Sequence, residues 1–122
     1  MDNYTVVIAE DNDLIREMYN DMIARIHPNW EVYSFETAEA AMHGLPSKVD
    51  CIITDYDLGI GLTGLDFARL AKQRMPNAPV YLVSGSVDRT EEFTLAQREG
   101  VIQKFIPKPV RTRTLIEMIS RT

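Results

Sequence analysis

Short apolar runs alternate along the chain with segments whose apolar residues return every three or four positions. Tyr4-Thr-Val-Val-Ile-Ala9 is a nearly unbroken run rich in β-branched residues. It does not alternate with polar positions, so it reads as a strand covered on both faces, as parallel sheets require. Beyond it, Ile15, Met18, Tyr19, Met22, Ile23 and Ile26 recur at helical spacing, and the Met18–Met22 stripe reads as helix core. Asn12 or Asp13 is the expected N-cap, and His27-Pro28-Asn29 ends the helix.

The cycle then repeats. Strands are expected at Trp30–Phe35, Val49–Thr54, Pro79–Val83 and Val101–Ile106. Helices are expected at Thr37–Leu45, at Leu65–Met75 (stopped by Pro76), at Thr90–Glu99 and at Arg111–Ser120. The Thr90–Glu99 segment has few apolar anchors, namely Phe93, Leu95 and Ala96, whereas Leu115, Ile116 and Ile119 give the last helix a clear face. Five β-α units imply an α/β fold, a doubly wound five-stranded parallel sheet with five helices.

Length and charge narrow the function. A chain of 122 residues fits one domain, residues 1–122, and leaves no room for a separate DNA-binding or catalytic module. Any output is then expected to come from a partner. Net charge is −5, which argues against direct nucleic-acid binding, since phosphate contacts need clustered cations. The charge is uneven: residues 1–61 carry 12 acids and 3 bases, whereas residues 62–122 carry 6 acids and 10 bases. The sole cysteine, Cys51, excludes an internal disulfide and reads as inert core. No cationic n-region and no membrane-length apolar run is present, so a cytoplasmic setting without membrane attachment is expected.

Ligands of open parallel sheets bind at the carboxyl ends of the strands. There the chain places Glu10-Asp11 after the first strand, Asp55-Tyr56-Asp57 after the third, Ser84-Gly85-Ser86 after the fourth and Pro107-Lys108-Pro109 after the fifth. Carboxylates from two strands converge on one edge, and such crowding is costly unless a cation joins them. An all-oxygen set suits a hard ion such as Mg²⁺. A lysine and a hydroxyl facing it can hold an anion. Together these are the parts for phosphoryl transfer to an aspartate.

These segments resemble the receiver domain of two-component response regulators, which has a flavodoxin-like fold. The resemblance rests on Ile8-Ala9-Glu10-Asp11, Ile52-Ile53-Thr54-Asp55, Val83-Ser84-Gly85 and Phe105-Ile106-Pro107-Lys108-Pro109. It implies that Asp55 is the phosphoacceptor and that Asp11 ligates Mg²⁺ directly, with Glu10 acting through water. It further implies that Asp57 offers its backbone carbonyl to the metal, that Ser84 is the switch hydroxyl and that Lys108 pairs with the phosphoryl group. Phe105 matches the switch aromatic, and the Lys108–Pro109 peptide is expected to be cis. A histidine kinase or phosphotransfer protein would donate the phosphoryl group, and a downstream protein would read the switched face. No conventional dimer is implied, so a monomer or weak dimer is expected.

Three departures stand out. Glu10 replaces the commoner aspartate. The loop after Asp55 has Gly59 where proline is usual and is one residue longer before Gly64, which suggests a loose loop. The Gly100–Phe105 segment is also one residue longer, which leaves an ordinary core or edge aromatic as the other reading of Phe105.

Other functions leave weaker signatures. Gly59-Ile-Gly-Leu-Thr-Gly64 is a literal G-x-G-x-x-G, but it follows the third strand and lacks the acid about 20 residues on that a dinucleotide site needs. An inactive receiver acting as a binding module would be expected to lose Asp55, Asp11, Ser84 or Lys108, and all four are present. Asp55 and Asp57 also resemble the Asp-x-Asp of aspartyl-phosphate hydrolases, yet so short a chain has no cap domain to hold a substrate.

Overall fold

The computed structural model describes residues 4–120; Met1–Asn3 and the Arg121-Thr122 end lie outside the described residues. The strands are β1 (Thr5–Ala9), β2 (Glu31–Phe35), β3 (Cys51–Asp55), β4 (Val80–Ser84) and β5 (Lys104–Pro107). The helices are α1 (Asp13–Ile26), α2 (Ala38–Gly44), α3 (Gly64–Arg74), α4 (Thr90–Arg98) and α5 (Thr112–Ile119), and a single 3₁₀ turn at Val87–Arg89 leads into α4. All strand pairs are parallel, in the order β2-β1-β3-β4-β5.

Alternation along the buried strands divides the core in two. Val6, Ile8, Cys51, Ile53, Tyr81, Val83 and Ile106 face α1 and α5, and meet Tyr19, Ile23, Leu115, Ile116 and Ile119. Val7, Ala9, Ile52, Val80 and Leu82 face the other way, against Ala41, Phe67, Ala68 and Ala71 of α2 and α3 and Phe93 and Ala96 of α4. Both faces are therefore sealed, which explains why β1, β3 and β4 are buried along their whole length. The crossover order changes direction between β1 and β3, which opens a crevice at their carboxyl ends.

Local signals set most boundaries. Asn12 caps α1, its side chain accepting from the Ile15 N–H, and Thr37 caps α2 in the same way through Ala40. Thr63 and Asp66 form a reciprocal capping box at α3. At the end of α1, His27 stacks on Trp30 with ring centroids 3.7 Å apart, and Trp30 in turn meets Tyr4.

Three expectations change. β5 begins at Lys104 rather than Val101. Gly100, at φ +77°, ends α4, and the N–H groups of Val101 and Ile102 both return to the Ala96 carbonyl. Ile102 is buried as a cap contact rather than as a strand residue. Met18, read as helix core, and Leu95, read as an apolar anchor of its helix, are instead 48% and 53% exposed.

Cys51 is fully enclosed in β3, and burial pushes its thiol up to about 12. A thiol reagent at about pH 8 should therefore leave the folded protein unmodified and label one site once denaturant unfolds it. Rapid labelling of the native protein would contradict this packing.

Candidate phosphoryl and metal site

Backbone bonds carry the sheet ladder one step beyond the strands. Glu10 N–H donates to the Phe35 carbonyl, Tyr56 N–H to Val83 and Lys108 N–H to Ser84, at 2.8–3.0 Å. The residues flanking these bonds are thus aimed by the sheet rather than by free loops. They line a cleft of about 370 Å³ formed by Glu10, Asp11, Asn12, Asp55, Asp57, Ser84 and Lys108 with their neighbours.

Carboxylate oxygens of Glu10, Asp11 and Asp55 lie within 4.8 Å of one another. Glu10 is only 1% exposed and Asp55 7%, whereas Asp11 faces solvent. Lys108 Nζ donates to Asp55 Oδ2 at 3.0 Å. Burial pushes the Glu10 carboxyl up to about 7; the Asn12 N–H on its Oε2 opposes this, and the Asp55 charge adds to it. Burial also raises the Asp55 carboxyl, against the hydrogen bond and charge of Lys108.

The second Glu10 oxygen, Oε1, is buried without a hydrogen-bond partner. An orphaned anionic oxygen beside two further carboxylates is the donor set a hard divalent cation requires. The residues present therefore fit Mg²⁺. The carboxylate of Asp57 stands outside this cluster and accepts from the Gly59 N–H at 3.2 Å. Ser84 is buried, and its Oγ accepts from the Ser86 N–H at 2.9 Å.

Phe105 is not among the cleft residues. It lies half-buried on the α4 side, where its ring meets Phe93 at 4.8 Å, and Phe93 meets Tyr56 at 5.1 Å. Tyr56 directly follows Asp55, so an aromatic row runs from the cleft to β5. Arg89 adds a cation over the Tyr56 ring, 5.1 Å from its centroid. The cis peptide at Lys108–Pro109 is present.

Several contributors carry no motif of their own. Arg16 of α1 donates from Nη1 to the Glu10 carbonyl and from Nη2 to Asp13, which fixes the turn that presents the acidic pair. Thr54 is fully buried, and its hydroxyl donates to the Asp55 carbonyl at 2.9 Å. The start of α3 presses on that same carbonyl. A Cβ at Gly64 would run into the Asp55 carbonyl oxygen, so only glycine fits there. Gly59 and Gly61 adopt positive φ, which glycine alone adopts cheaply. All three glycines of the literal G-x-G-x-x-G are thus accounted for by the loop beside Asp55.

An open parallel sheet with acids at the β1/β3 crevice and a lysine after β5 defines a doubly wound α/β domain with a charged cleft at its strand ends. The family model of the response regulator receiver domain matches residues 6–120, and the chain belongs to that family. It is similar to the cyclic di-GMP phosphodiesterase response regulator RpfG of Xanthomonas campestris pv. campestris (strain 8004), at 28% identity over 111 residues, covering 90% of this chain and 29% of that protein. The chain spans less than a third of the length of the curated relatives it matches. In fold it resembles a CheY-like receiver domain protein from Methanospirillum hungatei JF-1 (TM-score 0.82, 20% identity, covering 98% of this chain and 93% of that one). It also resembles TrrA from Thermotoga maritima, solved in complex with Mg²⁺ and BeF (TM-score 0.80, 18% identity, covering 97% of each chain). Among the described residues, no helix is long and apolar enough to cross a membrane.

Metal binding should appear as stability. Mg²⁺ at ten times its Kd is expected to add ~1.4 kcal/mol to unfolding. Asp11→Asn should abolish that gain while slightly stabilising the metal-free protein, because it removes one of three crowded charges. Equal Mg²⁺ stabilisation of both proteins in thermal melts would refute the assignment.

Proposed function

We propose that this domain is a working phosphoacceptor, in which Asp55 takes a phosphoryl group from a phosphohistidine of a histidine kinase or phosphotransfer protein. The observation that carries the reading is the Lys108–Asp55 pair at 3.0 Å beside the Glu10–Asp11 carboxylates. Asp55 is the nucleophile. One of its oxygens forms the new P–O bond while the P–N bond to the donor imidazole breaks, the electron pair returning to nitrogen. Lys108 holds Asp55 before the reaction, and its ammonium is placed to follow the charge onto the phosphoryl oxygens.

Glu10 and Asp11 would hold Mg²⁺ together with Asp55 and the Asp57 carbonyl, and the bound ion supplies charge neutralisation at the phosphoryl oxygens. Glu10, enclosed and with one oxygen unpaired, keeps the acidic pocket dependent on a cation. Ser84 gives up its bond to Ser86 and turns to the phosphoryl oxygens. The signalling change then passes to the α4–β5–α5 face, with Phe105 moving against Phe93. Such a change is a population shift, driven only by contacts that differ between two arrangements. Water hydrolyses the acyl phosphate and resets the domain, so its chemistry is confined to its own phosphorylation and dephosphorylation.

The family match runs over residues 6–120; beyond it, we read the chain as one receiver domain over residues 1–122 and expect a cytoplasmic monomer or weak dimer that signals through a protein partner, without direct contact to nucleic acid or membrane. Incubation with acetyl phosphate and Mg²⁺ should add the mass of one phosphoryl group. The gain should vanish in Asp55→Asn and fall sharply in Lys108→Ala. No gain from acetyl phosphate or from phosphohistidine donors would favour a constitutive binding module instead.

A further inference from the structure

The loop between Asp57 and α3 has fixed ends and a bare middle. Leu58 is buried in the core with α2 and α3, and Thr63 is held by its capping box. Between them Gly59 and Gly61 stand at φ +82° and +107°, and Ile60 is 100% exposed. Residues 59–61 bury no side chain, so packing does not define their path. The path nevertheless matters, because Gly59 borders the metal cluster. A Cβ built on it would stand 3.8 Å from Asp11 Oδ2.

Glu39, in the first turn of α2, reaches across to this loop. Its Oε2 accepts from the Leu62 N–H at 3.0 Å. The same oxygen occupies the space beside Gly61, where a Cβ would come within 2.6 Å of it. Gly61 is favoured for its φ, and a Cβ there would also push the Glu39 carboxylate from its present position. One hydrogen bond, at Leu62, holds this oxygen on the loop, and the missing side chain of Gly61 leaves room for it.

We propose that Glu39 is a positioning residue for the metal and phosphoryl site: it straps the β3–α3 loop to α2 and so holds Gly59 against Asp11 and keeps the Asp57 backbone in place. The purpose of the strap rests on the functional reading above. The strap itself is testable without any phosphoryl transfer. A longer, glycine-rich loop needs such a tie, because its own residues carry little to order it.

Three variants separate the strap from the charge. Glu39→Gln keeps an acceptor oxygen and removes the charge, Glu39→Ala removes both, and Gly61→Ala displaces the carboxylate while straining the loop at φ +107°. Two properties are read, amide hydrogen exchange at Leu62 in the metal-free protein and Mg²⁺ affinity by titration. Glu39→Ala should speed exchange and weaken Mg²⁺ binding, each by roughly three- to tenfold. Its melting temperature should stay near wild type, since Glu39 is exposed. Glu39→Gln should remain close to wild type in both readouts. Gly61→Ala should weaken Mg²⁺ binding at least as much as Glu39→Ala, and in its background Glu39→Ala should lower the affinity little further. Unchanged exchange and affinity in Glu39→Ala would overturn the proposal. So would a loss in Glu39→Gln equal to that in Glu39→Ala, since charge alone would then be the cause. Failure of the functional reading shows separately, as wild-type protein that takes no phosphoryl group at Asp55.

Discussion

Within the cleft at the carboxyl ends of β1 and β3, three carboxylates cluster beside one ammonium, and the ion pair between Asp55 and Lys108 is the only direct neutralisation of that cluster among the described residues. Both enclosed acids have their carboxyls raised by burial, which means the ionised cluster is unfavourable as it stands. A fold gains nothing in stability from such an arrangement. It gains a pocket whose electrostatics suit a cation, and, in the proposed function, an incoming phosphoryl group held by Lys108. Much of the surrounding structure can be understood as what it takes to keep those charges in place.

The sheet supplies the first part of that support. Sealed faces make β1, β3 and β4 rigid, and the backbone bonds from Glu10, Tyr56 and Lys108 extend the ladder to the edge of the cleft. The Asp55 carbonyl is clamped between the Thr54 hydroxyl and the glycine that opens α3. The same segment also reaches away from the cleft. Tyr56 lies next to Asp55 in sequence and touches Phe93 of α4, which touches Phe105 of β5. A shift at the acid thus has a packed route to the α4–β5 face.

Much of this was legible in the residues because strand ends are easy to see. A buried apolar run followed by Glu-Asp, Asp, Ser-Gly or Lys-Pro fixes both the element and the place of its terminal side chain. What was hidden falls into two kinds. Glu39 and Leu62 meet only in three dimensions, and nothing near Glu39 in sequence announces a bond to a loop 23 positions away. The apolar Val101 and Ile102 resemble the start of a strand, yet Gly100 turns them back onto the end of α4. Periodicity likewise identified the faces of α1 and α4 but not their edges, where Met18 and Leu95 emerge into solvent.

In the proposed function the charges of Glu10, Asp11 and Asp55 enclose a place for a cation, and Lys108 exchanges Asp55 for the phosphoryl group. A crystal structure grown with Mg²⁺ and beryllofluoride tests it directly. A metal ion is expected among those three carboxylates, with beryllofluoride on Asp55 and Lys108 Nζ moved from Asp55 Oδ2 to the fluoride. Lys108 still paired to an unmodified Asp55, with no ion among the carboxylates under saturating ligand, would contradict it.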